Sequence, residues 1–160
     1  MLDANKLKAD ILEDMRVELS DEFDRNFERK GFFSDKWKPR AQDYGRGSLL
    51  MVSGAMRRST QGEVSGNGVR FTSSMPYTAL HNEGGKIKVT AKMRKFFWHK
   101  YKQTKVEGWK YMALMKIGSV INIPQRRFIG PGKDTDRLIR EVIESNLKQY
   151  NLSLSEFLRK

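Results

Sequence analysis

The feature of this sequence that most constrains its fold is a stripe of large apolar residues near the N-terminus. The stripe recurs every fourth position, and Leu12 widens it. Its members are Leu7, Ile11, Met15, Leu19, Phe23 and Phe27. This spacing places the side chains on one face of an α-helix, which we predict to end with Gly31 in the left-handed conformation. The apolar face packs on the domain's own sheet or on a neighbouring subunit, and the pattern is compatible with both.

A second amphipathic segment near the C-terminus predicts another helix. Leu138, Val142 and Leu147 recur at helical spacing. Asp134 or Thr135 is the expected N-cap, since both residue types accept hydrogen bonds from the free N–H groups of a first turn. The chain is therefore expected to have a helix at each end.

Between these helices the sequence favours short antiparallel strands. Two segments flank a Gly-Asn-Gly sequence at 66–68, which tolerates positive φ and so predicts a β-hairpin. Further strands are predicted at 86–90 and 116–123, with a helical turn at 77–82. An antiparallel sheet flanked by two helices is an α+β fold, which we expect to form a single domain over residues 1–160.

Residues 91–115 stand out as a basic, aromatic insertion between the later strands, predicted to be helical. Residues 151–160 are expected to form a short tail with a further helix from Ser153. Ten lysine and arginine residues and one acidic residue, Glu107, lie within 86–116, whereas residues 1–30 hold six basic and nine acidic residues. Such asymmetry suits pairing between neighbouring subunits, or contact of the basic segment with nucleic acid.

The partner of this insertion stays open at the level of sequence. A formal charge of +12 suggests a polyanionic neighbour. As a helix the insertion would group Phe97 with Tyr101, a pattern shared by a helix docked on protein and by a nucleic-acid or membrane-surface helix. Apolar stretches are far shorter than the ~20 residues of a membrane span. The candidate cations for contact with DNA or a subunit are Lys92, Arg94, Lys95, Lys100, Lys102 and Lys105.

Catalytic and metal chemistry find little support in the sequence. The chain has no cysteine and two histidines, which excludes thiol catalysis and thiolate metal sites. No nucleophile-elbow sequence surrounds any serine, so a Ser-His-Asp triad has no local basis. His81 and Glu83 offer two ligands, but no second histidine follows at helical spacing. We therefore expect no enzyme activity, cofactor or metal, and a hydrogen-bonded turn at His81.

Four segments in order along the chain carry a recognisable pattern: Trp37-Lys38-Pro39, LMVSGAMRRS at 50–59, YTALHNEG at 77–84 and IPQRRFIG at 123–130. Together they resemble the phage virion morphogenesis family, the tail-completion proteins of Mu-like and related myophages. The likeness covers roughly residues 5–148. It departs from the family in two places. The segment Arg126-Arg127-Phe128 lacks the proline that the family usually has directly before the phenylalanine. The insertion is longer and more aromatic than the corresponding stretch of relatives.

The resemblance implies structural roles for the motif residues. Ser53 and Gly54 would permit a sharp change of direction, and Phe128 would be a buried anchor with Arg127 as an ion-pair or hydrogen-bond partner. Tyr77 and Ala79 would pack under the sheet. His81 and Gly84 would shape the following turn. The full set is Trp37, Ser53, Gly54, Met56, Tyr77, Ala79, His81, Gly84, Pro124, Arg127, Phe128 and Gly130.

The implied function is assembly. A protein of this kind would multimerise as a ring at the head-proximal end of a phage tail or at the neck, in contact with other tail or neck proteins and weakly with phage DNA. It would reside in the bacterial cytoplasm during assembly and then in the virion. The rival interpretations are a basic nucleic-acid-binding module and, third, a small hydrolase.

Overall fold

A computed structural model describes residues 3–41 and 47–150 and confirms the α+β class with a long helix at each end. The helix predicted from Ser153 lies outside these residues. The helices are α1 (Ala4–Arg29), α2 (Ala55–Ser59), α3 (Thr78–Glu83), α4 (Ala91–Thr104), α5 (Glu107–Leu114) and α6 (Lys133–Gln149). The strands are β1 (Gly31–Phe32), β2 (Asp35–Lys36), β3 (Thr60–Ser65), β4 (Gly68–Ser73), β5 (Gly85–Lys88) and β6 (Val120–Ile123).

The strands form three separate antiparallel pairs: β1 with β2, β3 with β4, and β5 with β6. The predicted hairpin is the second pair, in which Val64 lies opposite Val69 and Gly66 has a φ of 63°. The third pair has α4 and α5 between its two strands along the chain. Each pair is therefore stabilised by neighbouring helices rather than by further strands.

Helix α1 begins and ends through local capping. The Asp3 carboxylate accepts hydrogen bonds from the N–H groups of Asn5 and Lys6 at 3.0 and 3.1 Å. The prediction for Gly31 is wrong, because Lys30 takes the left-handed position with a φ of 54°. Gly31 belongs to β1, where a Cβ atom would lie 2.6 Å from the backbone oxygen of Asp35. The glycine is needed for this close approach.

The apolar stripe of α1 packs within its own chain. Its first turns contact the end of α6 through Leu7, Ile11 and Leu147. Its middle and last turns contribute to two further clusters, around Phe23 and around Phe27. Since the beginning of one helix meets the end of the other, α1 and α6 are antiparallel neighbours.

Helix α6 is joined to α1 by polar contacts as well. The Asn146 amide donates to the Asp14 carboxylate at 2.8 Å, and the Tyr150 hydroxyl donates to a carboxylate oxygen of Asp10 at 2.9 Å. The N-cap prediction is wrong, because Gly132 occupies that position and Thr135 lies inside the helix. The Thr135 hydroxyl instead donates to a backbone oxygen of the preceding loop at 2.9 Å.

Residues 85–123 form a unit that we call the arm, comprising β5, α4, α5 and β6. Its hydrophobic cluster is built on Phe97, Trp109 and Met112, and every side chain packed there belongs to the arm. The insertion is thus two helices, separated where Lys105 takes a φ of 57°. We call the remaining described residues the body. None of the six helices described combines the length and apolar character that crossing a membrane requires.

Candidate functional site

The centre of the body is an irregular segment at 124–130, which is one of the family-like motifs. It has neither helix nor regular strand to pair its backbone polar groups. Buried backbone N–H and C=O groups need partners, and here side chains supply them. We call this segment and the side chains bound to it the motif core.

Two asparagines hold the backbone around Phe128. The Asn82 side-chain oxygen accepts from the N–H groups of Phe128 and Ile129 at 2.9 and 3.1 Å. From the opposite side, the buried Asn26 amide donates to the Phe128 carbonyl oxygen at 3.0 Å, and its own oxygen accepts from the Phe33 N–H at 2.8 Å. Helices α1 and α3 are thereby fixed to the same segment.

The Trp37-Lys38-Pro39 motif is attached to this segment directly. The Trp37 indole N–H donates to the Arg127 carbonyl oxygen at 2.5 Å. The Arg126 guanidinium donates to the carbonyl oxygens of Lys38 and Pro39 at 2.9 and 3.1 Å. Arg126 is buried, and desolvation lowers the pKa of its guanidinium below the ordinary value. Arg126 therefore joins two of the family-like motifs.

Aromatic rings fill the interior of the motif core. Phe128 is fully buried, and its ring centroid lies 4.8 Å from that of Phe27. Phe27 meets Trp37 edge to face at 5.9 Å, and Met56 completes the cluster. Three of the predicted motif residues are thus brought together with one position of the α1 stripe.

Arg127 has a different partner from the one predicted. Its guanidinium carbon lies 4.9 Å from the centroid of the Phe32 ring, a cation–π contact. Gly130 follows with a φ of 125°, and a Cβ atom there would lie 3.3 Å from the Arg127 guanidinium. Pro124, half-buried, begins the segment. No ion pair to Arg127 occurs in the described part of the chain.

The second motif turns the chain into α2. Gly54 has a φ of 68° immediately before the helix, and the exposed Ser53 accepts a hydrogen bond from the Ala55 N–H at 3.3 Å. This is the change of direction expected of the small pair. Met56, one residue into the helix, is buried in the motif core.

Helix α2 is tied to α1 by ion pairs that the sequence did not reveal. The Arg57 guanidinium donates to both carboxylate oxygens of Asp24 and, at 2.7 Å, to Glu28. These hydrogen bonds raise the pKa of Arg57 above its ordinary value. The acidic face of α1 is therefore partly neutralised by the body itself.

The third motif is less buried than predicted. Tyr77 is 40% exposed and Ala79 is exposed as well, so neither packs under a sheet. The reason is that α3 covers the motif core with Asn82, while Tyr77 contacts His81 edge to face at 6.1 Å. Gly84 has a φ of 77° and approaches the Gln125 backbone nitrogen so closely that a Cβ would lie 2.9 Å away.

His81 is half-buried beside the motif core. Its carbonyl oxygen accepts from the Arg126 N–H at 2.8 Å, which joins α3 to the irregular segment. Its Nδ1 atom is buried without a hydrogen bond among the described residues. Desolvation lowers the pKa of His81 below its ordinary value, and the charge of Arg126 lowers it further. The described residues contain no cluster of three or more His, Asp or Glu side chains able to hold a metal.

The six candidate cations of the arm fall into three groups. Arg94 is partly buried, and its guanidinium donates to the Ala113 carbonyl oxygen at 2.9 Å, so it joins α4 to α5. Lys100 lies over the Phe96 ring and Lys105 over a tyrosine ring, at 5.7 and 5.8 Å from the ring centroids. Lys92, Lys95 and Lys102 are exposed on the outer side of α4.

The arm also exposes large apolar side chains. Phe96, Tyr111, Leu114 and Ile117 are 47%, 57%, 59% and 60% exposed. Single exposed apolar residues are ordinary, but four such residues in a short segment beside lysines are typical of a surface that contacts another molecule.

The sequence that forms this arrangement matches a model of a known protein family. The model of the phage virion morphogenesis family matches residues 3–148, nearly the whole chain. The chain belongs to this family. As a member, it is a phage protein with a role in virion morphogenesis, expected to contact other virion proteins. Searches of curated proteins and of solved structures gave no significant match.

Within this family member, sequence reasoning missed the polar residues that hold the motif core together. Asn26 lies on the apolar stripe of α1, three positions after Phe23. An amide inside such a stripe must find buried hydrogen-bond partners, and that was the available signal. Asn82 and Arg126 were part of the quoted motifs, but nothing in the sequence distinguished them from surface residues.

Proposed function

We propose that this protein is a structural subunit that completes the phage tail at its head-proximal end, where copies multimerise at the junction with the head. Its contribution is to supply surfaces that other subunits bind. Its partners are further copies of the chain and other tail or neck proteins, and it works in the host cytoplasm during assembly and afterwards in the virion.

The observation that carries the proposal is where the family motifs lie. Trp37, Met56 and Phe128 are buried against one another, and the backbone of their segments is held by Asn26 and Asn82. A catalytic family would be expected to place its motif side chains in a polar cleft, whereas these form a scaffold. We therefore propose a protein without enzymatic activity that binds no cofactor.

Deletion of the gene from its phage or prophage tests the proposal. We expect filled heads and separate tails to accumulate, visible by electron microscopy, and attachment to return when the protein is supplied from a plasmid. Fully infectious particles after deletion would contradict the assembly function. A block in DNA packaging with normal tails would contradict the position at the tail.

The second candidate function is binding of nucleic acid, which the exposed lysines of α4 favour. Phosphate contacts by a few lysines give weak, sequence-independent affinity that falls steeply with salt. We expect the isolated protein to bind DNA with such weak affinity. Sequence-selective binding with nanomolar affinity by a monomer would favour this function over assembly, and fluorescence anisotropy across a salt series would detect it.

A further inference from the structure

The outer side of α4 presents exposed lysines and a histidine beside one aromatic ring. Its basic residues and His99 lie three or four positions apart, which places them on one helix face away from the buried Phe97, and Phe96 lies at the edge of that face. All are exposed. We call this surface the basic ridge, and it consists of Lys92, Lys95, Phe96, His99 and Lys102.

The body has a surface of opposite character between α1 and α6. It is a groove lined by the carboxylates of Asp14, Glu18 and Glu141 and by the apolar side chains of Leu138 and Val142. None of the described residues that line it is basic. We call it the acidic groove.

The two walls of the acidic groove are joined by a hydrogen bond. The Asn146 amide donates to the Asp14 carboxylate at 2.8 Å, which fixes one wall to the other. Glu18 has no ion pair in the described residues, and Glu141 has only a long contact of 3.9 Å with the exposed Arg137. Acidic side chains and apolar surface thus remain available to a partner.

We propose that the basic ridge of one copy docks in the acidic groove of a second copy. This inference rests on the proposed multimeric role. A helix laid between two antiparallel helices is a common recognition mode. The ring of Phe96 would cover the apolar floor at Leu138 and Val142, and the lysines would lie opposite the carboxylates. Apolar and charged groups that each surface leaves exposed to solvent would then contact one another.

The two surfaces are different, so the contact is head to tail. Each copy that docks its ridge still presents a free groove to the next copy. Such heterologous contacts repeat, and they close into a ring when the rotation between copies permits. The geometry of the interface therefore accounts for a ring without a second kind of contact.

Charge reversal on either surface tests the proposal. The ridge variant carries Lys92→Glu and Lys95→Glu, and the groove variant carries Glu18→Lys and Glu141→Lys. Each variant alone faces like charges across the interface, so we expect the dissociation constant between copies to rise about 100-fold. Analytical ultracentrifugation measures this. Wild-type multimers that persist in either variant, or a wild-type chain that stays monomeric up to its solubility limit, would overturn the inference.

Mixing the two variants gives a sharper result. Equal amounts restore complementary charge at every contact, so multimers should return although each variant alone is monomeric. A single chain with all four substitutions should also assemble. If neither the mixture nor the fourfold variant assembles, the ridge does not dock in the groove. If the ridge variant loses DNA binding but keeps its multimer, the lysines belong to a nucleic-acid surface and the inference is overturned.

A matched control separates the interface from net charge. Lys86→Glu with Lys88→Glu makes the same charge change on the exposed side of β5 and should leave the multimer intact. Unchanged circular dichroism and melting temperature verify the fold of every variant. In the phage, the inference is supported if the ridge variant alone fails to complement the deletion. Full complementation by the ridge variant overturns the inference and leaves the tail-completion function standing.

Discussion

The body and the arm of this protein differ in how far their side chains find partners within the chain. In the body, aromatic rings and buried amides satisfy one another, and Arg57 neutralises part of the acidic face of α1. The arm, by contrast, holds ten of the chain's 31 basic residues and one of its 19 acidic residues, and within the described residues it has one ion pair. Its small core supports two helices whose outer faces remain cationic and apolar.

Because of this difference, we expect substitutions in the two regions to have different effects on stability. Side chains of the motif core are constrained from all sides, so changes there act on the free energy of unfolding. The lysines of the basic ridge are exposed, so we expect changes there to leave folding nearly unaffected. The motif residues buried together therefore belong to the body, and the exposed lysines of α4 belong to the arm.

The largest effect on stability is expected from Phe128→Ala. The ring is fully buried against Phe27, so its removal should lower the free energy of unfolding by about 3–5 kcal/mol. Guanidinium denaturation of the whole chain measures it. The control is Phe96→Ala on the arm, where the half-exposed ring should cost much less. Equal losses for the two variants would remove the distinction between body and arm.

Trp109→Ala should have a large effect confined to the arm. Its indole packs on Phe97 with ring centroids 6.0 Å apart, and the loss should amount to about 3 kcal/mol of local stability. In hydrogen exchange, amides of α4 and α5 should become faster while those of α1 and α6 keep their protection. Equal acceleration in all four helices would mean that arm and body unfold as one unit.

Asn26→Ala should cost about 2 kcal/mol, less than the loss of Phe128. The substitution leaves the Phe128 carbonyl oxygen and the Phe33 N–H without their partner in a buried environment. Asn5→Ala on the exposed first turn of the same helix is the matched control. Thermal unfolding of the two variants checks the prediction. The prediction is contradicted if both variants melt at the same temperature.

The smallest effect is a pH dependence that originates at His81. Because its folded-state pKa lies below the ordinary value of 6.5, the unfolded chain binds the proton more tightly. The contribution of His81 to the free energy of unfolding is fully present above about pH 6.5, and it declines as the pH falls towards the folded-state pKa. Guanidinium midpoints between pH 7.5 and 5.5 should show a slope that His81→Gln reduces. His99→Gln on the exposed side of α4 should keep the slope, and a loss there instead would contradict the assignment.

Local patterns made several elements predictable. The four-residue repeat of α1, the hairpin at 66–68 and the spacing of Leu138, Val142 and Leu147 depend on neighbours in sequence, and the structure has all three. The prediction failed at two helix ends. Lys30 rather than Gly31 took the left-handed position, and Gly132 rather than Asp134 capped α6.

What the sequence by itself determined, then, is the class of fold, the positions of the long helices and the charge of the arm, because periodicity and composition are properties of contiguous residues. The tertiary structure decided which polar groups meet. Asn26 reaches Phe128 across 102 positions of the chain, and Arg126 reaches Lys38 across 88. Likewise Glu18 and Glu141 line one groove only because α1 and α6 pack side by side. Such pairings follow from the packing of whole helices, and no local pattern encodes them.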